Sequence, residues 1–298
     1  MNFPKLPSLL FSLGAFAAAF GSASTMAQPR PDESDLERRI GERVLQAMPE
    51  WRREILDARP GPDWTVDKNI QSAARAFDED LSNLRELPAD AEQVPTKSGV
   101  IRFDRDEGTL RYVNRERAWE LDRHRGTRAV DVTRAQSLAL DAAAKLGLPR
   151  QEFGRILVDT QMAAGAKAGS VRIEETFEMY RLVTVPRAIG NLPVYGSLFR
   201  AAVNNEGAVQ RVGVAWPAFR LAPDLALLDR KAVAARAAAR IVAQSPQLDA
   251  DIKAQLAYAP AEGEEDDPSF APVVVISVYA QPTPYQIVVP VADSKRRR

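Results

Sequence analysis

The sequence predicts an α+β protein, with an N-terminal helical segment followed by two units in which one helix lies on an antiparallel sheet. Three observations carry this expectation. Apolar residues recur at helical spacing before residue 87. Two Ala-rich helical stretches, starting at Thr133 and at Asp229, are each followed by strands, as in a repeated unit. Short turns such as Asp106-Glu-Gly108 and Asn204-Asn-Glu-Gly207 fold neighbouring strands back antiparallel.

The first residues read as a secretory signal. Lys5 precedes an apolar run from Leu6 to Phe20, and small residues at Thr25 and Ala27 suit cleavage before Gln28, with Gly21 and Ala23 as a second choice. The run is too short, and too broken by Ser8, Ser12 and Gly14, for a stable membrane anchor. The expected location is therefore periplasmic or secreted. Removing 27 of 298 residues leaves 271, enough for about two domains and an ordinary core. With no cysteine, neither disulfides nor a lipid-acceptor thiol are available. The remaining 39 basic and 40 acidic side chains (40 and 40, less Lys5) give a net charge of −1, so no global field favours nucleic acid. The one dense basic run, Lys295-Arg-Arg-Arg298, reads as a solvated tail.

Along the chain, Leu36, Ile40, Val44, Leu45 and Met48 form one helical face that Pro49 interrupts. Trp51, Ile55 and Leu56 continue it up to Pro60-Gly-Pro62, and Ile70, Ala74, Phe77, Leu81 and Leu84 make a further stripe. Pro88 to Gly99 lacks periodicity and reads as a linker. Alternation from Val100 to Asp104, a turn at Asp106 to Gly108, and Leu110 to Val113 predict a hairpin. Thr133 caps a helix carrying Leu138, Ala142 and Leu146, closed by Gly147 and Pro149. Strands are expected at Ile156–Thr160, Val171–Phe177, Tyr180–Pro186, Val194–Val203 and Val209–Trp216. Asp229 caps a second helix through Ala232, Val233, Ala237 and Ile241, ending near Ser245-Pro246. Strands follow at Lys253–Tyr258, Val273–Tyr279 and Tyr285–Val291, with an acidic loop between the first two.

The segment Tyr180 to Gly213 resembles the fungalysin/thermolysin propeptide domain, through Leu192, Pro193, Val194, Gly196, Asn204 and Gly207. The helix from Asp229 and its strands resemble a PepSY domain. The resemblance covers about residues 130–292 and is sharpest from Gly190 to Gly207. It implies cystatin-like units at 96–225 and 226–298, after the signal peptide at 1–27 and a helical region and linker at 28–95. A complete precursor would also carry two zinc-binding histidines around a glutamate, whereas this chain has one histidine, His124. The resemblance therefore implies a propeptide-like module without its protease.

Chemistry-bearing constellations are sparse. His124 sits among Glu120, Asp122, Arg123 and Arg125 and is expected to be solvated; no Gly-x-Ser-x-Gly elbow accompanies it. Glu174, Glu175 and Glu178 could in principle form a two-carboxylate glycan hydrolase, with Glu174 and Glu178 on one strand face, though the wet side of a sheet explains them too. Asp104, Asp106 and Gly108 miss the spacing of a calcium loop, and Glu262 to Asp267 reads as a solvated acidic loop. No phosphate-cradling glycine loop is present, and no cofactor is expected.

The expected function is binding without catalysis: an inhibitor, chaperone or adaptor that engages an exported protease or other exported polypeptide through sheet edges or loops. Leu192, Pro193, Val194, Tyr195, Gly196, Phe199 and Trp216 are the expected partner-binding residues. A carboxylate hydrolase of envelope glycans and a structural envelope component remain alternatives.

Overall fold

The computed structural model describes residues 31–65, 72–79, 92–166, 173, 175–244, 250–261, 269–280 and 283–294. The signal segment, Ile70, Leu81, Leu84, Val171, Glu174, the Glu262 to Asp267 run and the basic tail lie outside them. The fold is mixed α+β, as the periodicities predict. Among the described residues its longer helices are α1 (Pro31–Ala47), α2 (Val132–Lys145) and α3 (Arg230–Gln244), with helical residues at 72–76 and short turns at Arg53–Leu56, Leu121–His124 and Arg150–Glu152. The strands are β1 (Gln93–Pro95), β2 (Gly99–Asp104), β3 (Thr109–Asn114), β4 (Leu157–Gly165), β5 (Glu175–Ile189), β6 (Leu192–Asn204), β7 (Val209–Ala215), β8 (Leu225–Leu227), β9 (Asp251–Pro260), β10 (Phe270–Tyr279), β11 (Tyr285–Pro290) and β12 (Ala292–Ser294).

In the first unit β1, β2, β3, β7, β6, β5 and β4 lie side by side, each antiparallel to its neighbour. Alternation sends Ile101, Phe103, Leu110, Tyr112, Val183, Val185, Phe199, Val212 and Val214 to one face, where they bury against Ala135, Ala139, Ala142 and Ala143 of α2. Alanine at those helix positions lets α2 lie close on the sheet. In the second unit β9, β10 and β11 bury Leu256, Val274, Ile276, Ile287 and Val289 against Val233, Ala237 and Ile241 of α3. A single parallel pairing, Val194 with Tyr258, joins β6 to β9 and makes the two sheets continuous.

The N-terminal region spans both units. Ile40, Val44 and Met48 of α1 pack into the second core, whereas Trp64, Ala73 and Phe77 pack into the first. A side chain at Gly41 would meet Ala238 at 3.7 Å, so small residues on both helices allow α1 and α3 to approach closely. Arg230 donates to the carbonyls of Leu45 and Met48 at 3.0 and 2.7 Å, supplying partners for the open C-terminal end of α1.

Several local expectations change. The cap of α2 is Asp131 rather than Thr133: its carboxylate accepts the Thr133 and Arg134 amides at 2.8 and 3.2 Å. The stretch read as a linker contains β1, whose Val94 is buried beneath the sheet edge. The two strands expected on either side of Glu178-Met179 are one strand, β5; the register shift between Gln161 and Met162 leaves Met179 as an extra residue, which hides the continuous alternation.

Candidate functional site

The β5–β6 hairpin, the segment of sharpest resemblance, turns at Gly190 and Asn191, with φ of 57° and 70°. Two successive left-handed residues make the tight hairpin turn whose twist matches the flanking strands, and Ile189 pairs with Leu192 across it. The second hairpin turn is built by Asn204, whose side-chain oxygen accepts the Glu206 and Ala208 amides at 3.1 and 2.8 Å. Its amide nitrogen donates to the Arg117 carbonyl at 2.9 Å, tying the turn to the loop before Leu121–His124.

The residues expected to meet a partner do not form one surface. Val194 is buried with Ile189, Phe219, Tyr258 and Phe270, and Leu192 packs partly against the same cluster and the second core. Phe199 and Trp216 are fully buried in the first core. Their burial corrects the expectation that they face a partner: alternation places Phe199 on the α2 side. Much of the motif thus serves contacts within the chain, between the first unit and β9. Tyr195 is 40% exposed, its hydroxyl donating weakly to Gln286 at 3.4 Å, and Gly196 is exposed with φ of 81°. Pro193 is half-buried beside them.

The first sheet ends at the short β1 on one side and at β4 on the other. Among the described residues β4 pairs with β5 alone, through nine residue pairs from Leu157–Thr184 to Gly165–Glu175. The bulge lies on β5, so β4 itself keeps a regular backbone. Its sequence, Leu-Val-Asp-Thr-Gln-Met-Ala-Ala-Gly, has one charge, no lysine and no proline, the usual protections of an edge. Leu157 and Met162 are 48% and 54% exposed. Beyond the Tyr180–Asn204 pair, β4 and β5 continue without β6, forming a two-stranded arm. Arg125 steadies it through an ion pair with Glu175 at 2.8 Å and by lying over the Phe177 ring.

The carboxylate candidates separate. Glu178 accepts the Ala129 amide at 2.8 Å, and Glu175 is paired with Arg125. Asp104 accepts the Glu107 amide at 2.8 Å, so it shapes the β2–β3 turn. Among the described residues no group of three or more metal-ligating side chains is gathered. His124 is 2% exposed, contrary to expectation: the turn Leu121–His124 directs it inward, where it stacks on Trp119 and Nε2 lies 3.8 Å from Glu206.

The sequence reading missed a buried ion pair at the unit junction. Arg187 Nε donates to Glu152 at 2.6 Å, and both side chains are 2% exposed. The same carboxylate accepts the Trp216 indole N–H at 3.2 Å and the Gly61 amide, while Arg187 also donates to the Pro217 carbonyl. The guanidinium lies over the Trp216 and Phe219 rings. Burial draws its pKa below the ordinary arginine value, opposed by the hydrogen bond and charge of Glu152.

No protein-family profile matches the chain, and no curated protein sequence does. Among solved structures it is similar to an uncharacterized protein from Eubacterium rectale, at 10% identity over 76% of this chain and 78% of that one, with a TM-score of 0.39. It is also similar to the YpeB C-terminal domain of Bacillus megaterium, at 10% identity over 78% of this chain and 94% of that one, with a TM-score of 0.34. Both likenesses are too slight to carry an inference. Among the described residues no helix is long and apolar enough to cross a membrane.

Proposed function

We propose that the protein is an exported polypeptide-binding module of propeptide-like, PepSY-like type, acting without catalysis as inhibitor, chaperone or adaptor for an exported protease or other polypeptide. The observation that supports it most is the unprotected β4 edge. A nine-residue regular strand, whose outward-pointing backbone groups on alternate residues have no strand partner among the described residues, offers a partner strand a ladder of hydrogen bonds, and Leu157 and Met162 offer apolar contacts beside it. The commitment of Glu178 to the Ala129 amide favours this reading over a carboxylate hydrolase.

The test is hydrogen exchange of the mature chain with and without its native exported protein fraction, partners being identified by mass spectrometry. Slowed exchange confined to residues 157–165 is expected. Met162→Lys, at an exposed site, should leave the melting temperature within about 1–2 °C, since such surface changes cost roughly 0.5 kcal/mol or less. It should abolish the slowed exchange, because a lysine on the edge opposes strand addition. Partner-induced protection elsewhere with β4 unchanged would overturn the proposal, as would glycan cleavage lost in Glu174→Gln or Glu178→Gln.

A further inference from the structure

The face of the first sheet turned away from α2 carries a row of residues that register places directly opposite one another. Arg102 of β2 pairs with Arg111 of β3, Arg111 with Gly213 of β7, and Gly213 with Arg200 of β6. All three arginines are exposed, and so is Arg211, two positions from Gly213 on the same face of β7. Among the described residues none of the four makes an ion pair or a side-chain hydrogen bond. Like charges directly opposite on a sheet are destabilising, so Arg102 beside Arg111 works against the fold. The carboxylates on this face are Asp104, at the end of β2 two positions from Arg102 and bound to the Glu107 amide, and Asp159 on β4.

Gly213 lies at the centre of this row. Its φ is outside the left-handed region, and a Cβ there would meet nothing within 4 Å. Neither backbone conformation nor packing therefore calls for glycine in the middle of a strand, where it weakens pairing. Its effect is an open slot, floored by backbone and walled by Arg111 and Arg200, which stand two strand spacings apart, about 10 Å. Glycine inside a strand commonly marks close approach by a ligand or another backbone.

We propose that this face docks an acidic, carboxylate-bearing stretch of an extended polypeptide, laid across the strands with its backbone over Gly213. From Arg102 to Arg200 is three strand spacings, about 14 Å, which an extended chain covers in about four residues. Planar guanidiniums hold carboxylates through paired hydrogen bonds. The row from Arg102 to Arg200, and the same-face residues two positions to either side of it on each strand, contain no aromatic side chain, the platform on which nucleic-acid bases stack. The inference deepens the polypeptide-binding reading, rests on it for the class of partner, and places the acidic contact away from the β4 edge.

The test is fluorescence anisotropy of the full mature chain with labelled deca-glutamate, and with deca-glutamine as the uncharged control, at low salt. Deca-glutamate should bind more tightly by about tenfold or more, as expected for charge-assisted hydrogen bonds, and lose that advantage as salt rises. Arg111→Gln and Arg200→Gln should each weaken it by about tenfold without lowering the melting temperature, because each also relieves like-charge repulsion. Gly213→Val keeps every charge and improves strand propensity, yet should weaken binding to a similar degree by filling the slot. Arg39→Gln, an exposed change on α1 outside the first sheet, and Met162→Lys on the β4 edge should leave it unaltered. Equal affinity for both peptides would overturn the inference, as would undiminished binding by Gly213→Val or an equal loss in Arg39→Gln. Tighter binding of oligothymidylate or of phosphatidylglycerol vesicles than of deca-glutamate would overturn the class of partner. Loss of β4 protection with these peptide results intact would refute the edge-pairing proposal alone.

Discussion

Replacing Glu152 by Gln tests whether the buried ion pair holds the junction together. Every partner of this carboxylate is a donor: the Gly61 amide on one oxygen, Arg187 Nε and the Trp216 indole on the other. A glutamine keeps one acceptor and turns an N–H₂ toward the remaining donors, while Arg187, 2% exposed, loses its counter-charge. Removing one member of a buried pair costs about 3–5 kcal/mol, because the other charge remains out of water. At about 2–4 °C per kcal/mol for a chain of this size, the melting temperature should fall by roughly 6–20 °C. Calorimetry should show the same loss at low and high salt, since water and ions do not reach the pair. Arg187→Met should cost a similar amount. The double variant should cost less than the sum of the two singles by about 1–3 kcal/mol, the coupling expected of side chains in contact. A loss below about 1 kcal/mol for Glu152→Gln, or strict additivity, would refute the view that these charges depend on each other.

Two further outcomes concern pH. The backbone amides of Arg134 and Thr133 hold the Asp131 carboxyl below its ordinary pKa, so its stabilisation is present above the unfolded value of about 3.9 and is lost as pH falls through the lowered folded value. Asp131→Ala should therefore melt below wild type at neutral pH, and the difference should shrink in acid; a constant difference would contradict the cap. Burial, then its hydrogen bond to Glu79, pushes the Tyr112 hydroxyl well above the usual phenol range, so its contribution is complete below about pH 10 and fades as pH rises. Tyr112→Phe should lose about 1–3 kcal/mol at neutral pH by leaving a buried carboxylate short of a donor, and should flatten the alkaline fall in stability seen by denaturant titration.

Turn chemistry made much of the fold legible. Asn204 and Gly207, and the loop ending at Gly108, bound hairpins where the residue types require them, since Gly207 and Gly108 adopt φ of 82° and 59°. Asp131 and Thr133 are both good capping residues two positions apart, and only the amide contacts distinguish them. The length of β5 was hidden because the bulge at Met179 breaks the alternation on which strand reading depends. His124 looked solvated because its neighbours in sequence are charged, whereas a single helical turn rotates it inward. The site was less legible than the fold. Conserving strand alternation from Val183 through Val185 to Ile189 puts Arg187 on the inward face, a signal present in the sequence, but its partner Glu152 is brought there by a separate turn. The arginine row depends on register across four strands, which no local pattern reveals.

The packing of α1 on α3 also governs the order in which this chain can become itself. A ribosome releases the apolar stripe of Ile40, Val44 and Met48 early, and its resting place on Val233, Ala237 and Ile241 is made only after most of the polypeptide has followed. Contacts so distant in sequence close slowly, because a long loop must be gathered before they form. Until then that stripe is uncovered, within reach of any carrier that handles nascent chains, and the second unit cannot complete its core. The first of the described helices to be made is thus among the last to be seated, and a nascent chain arrested before residue 230 would keep it waiting.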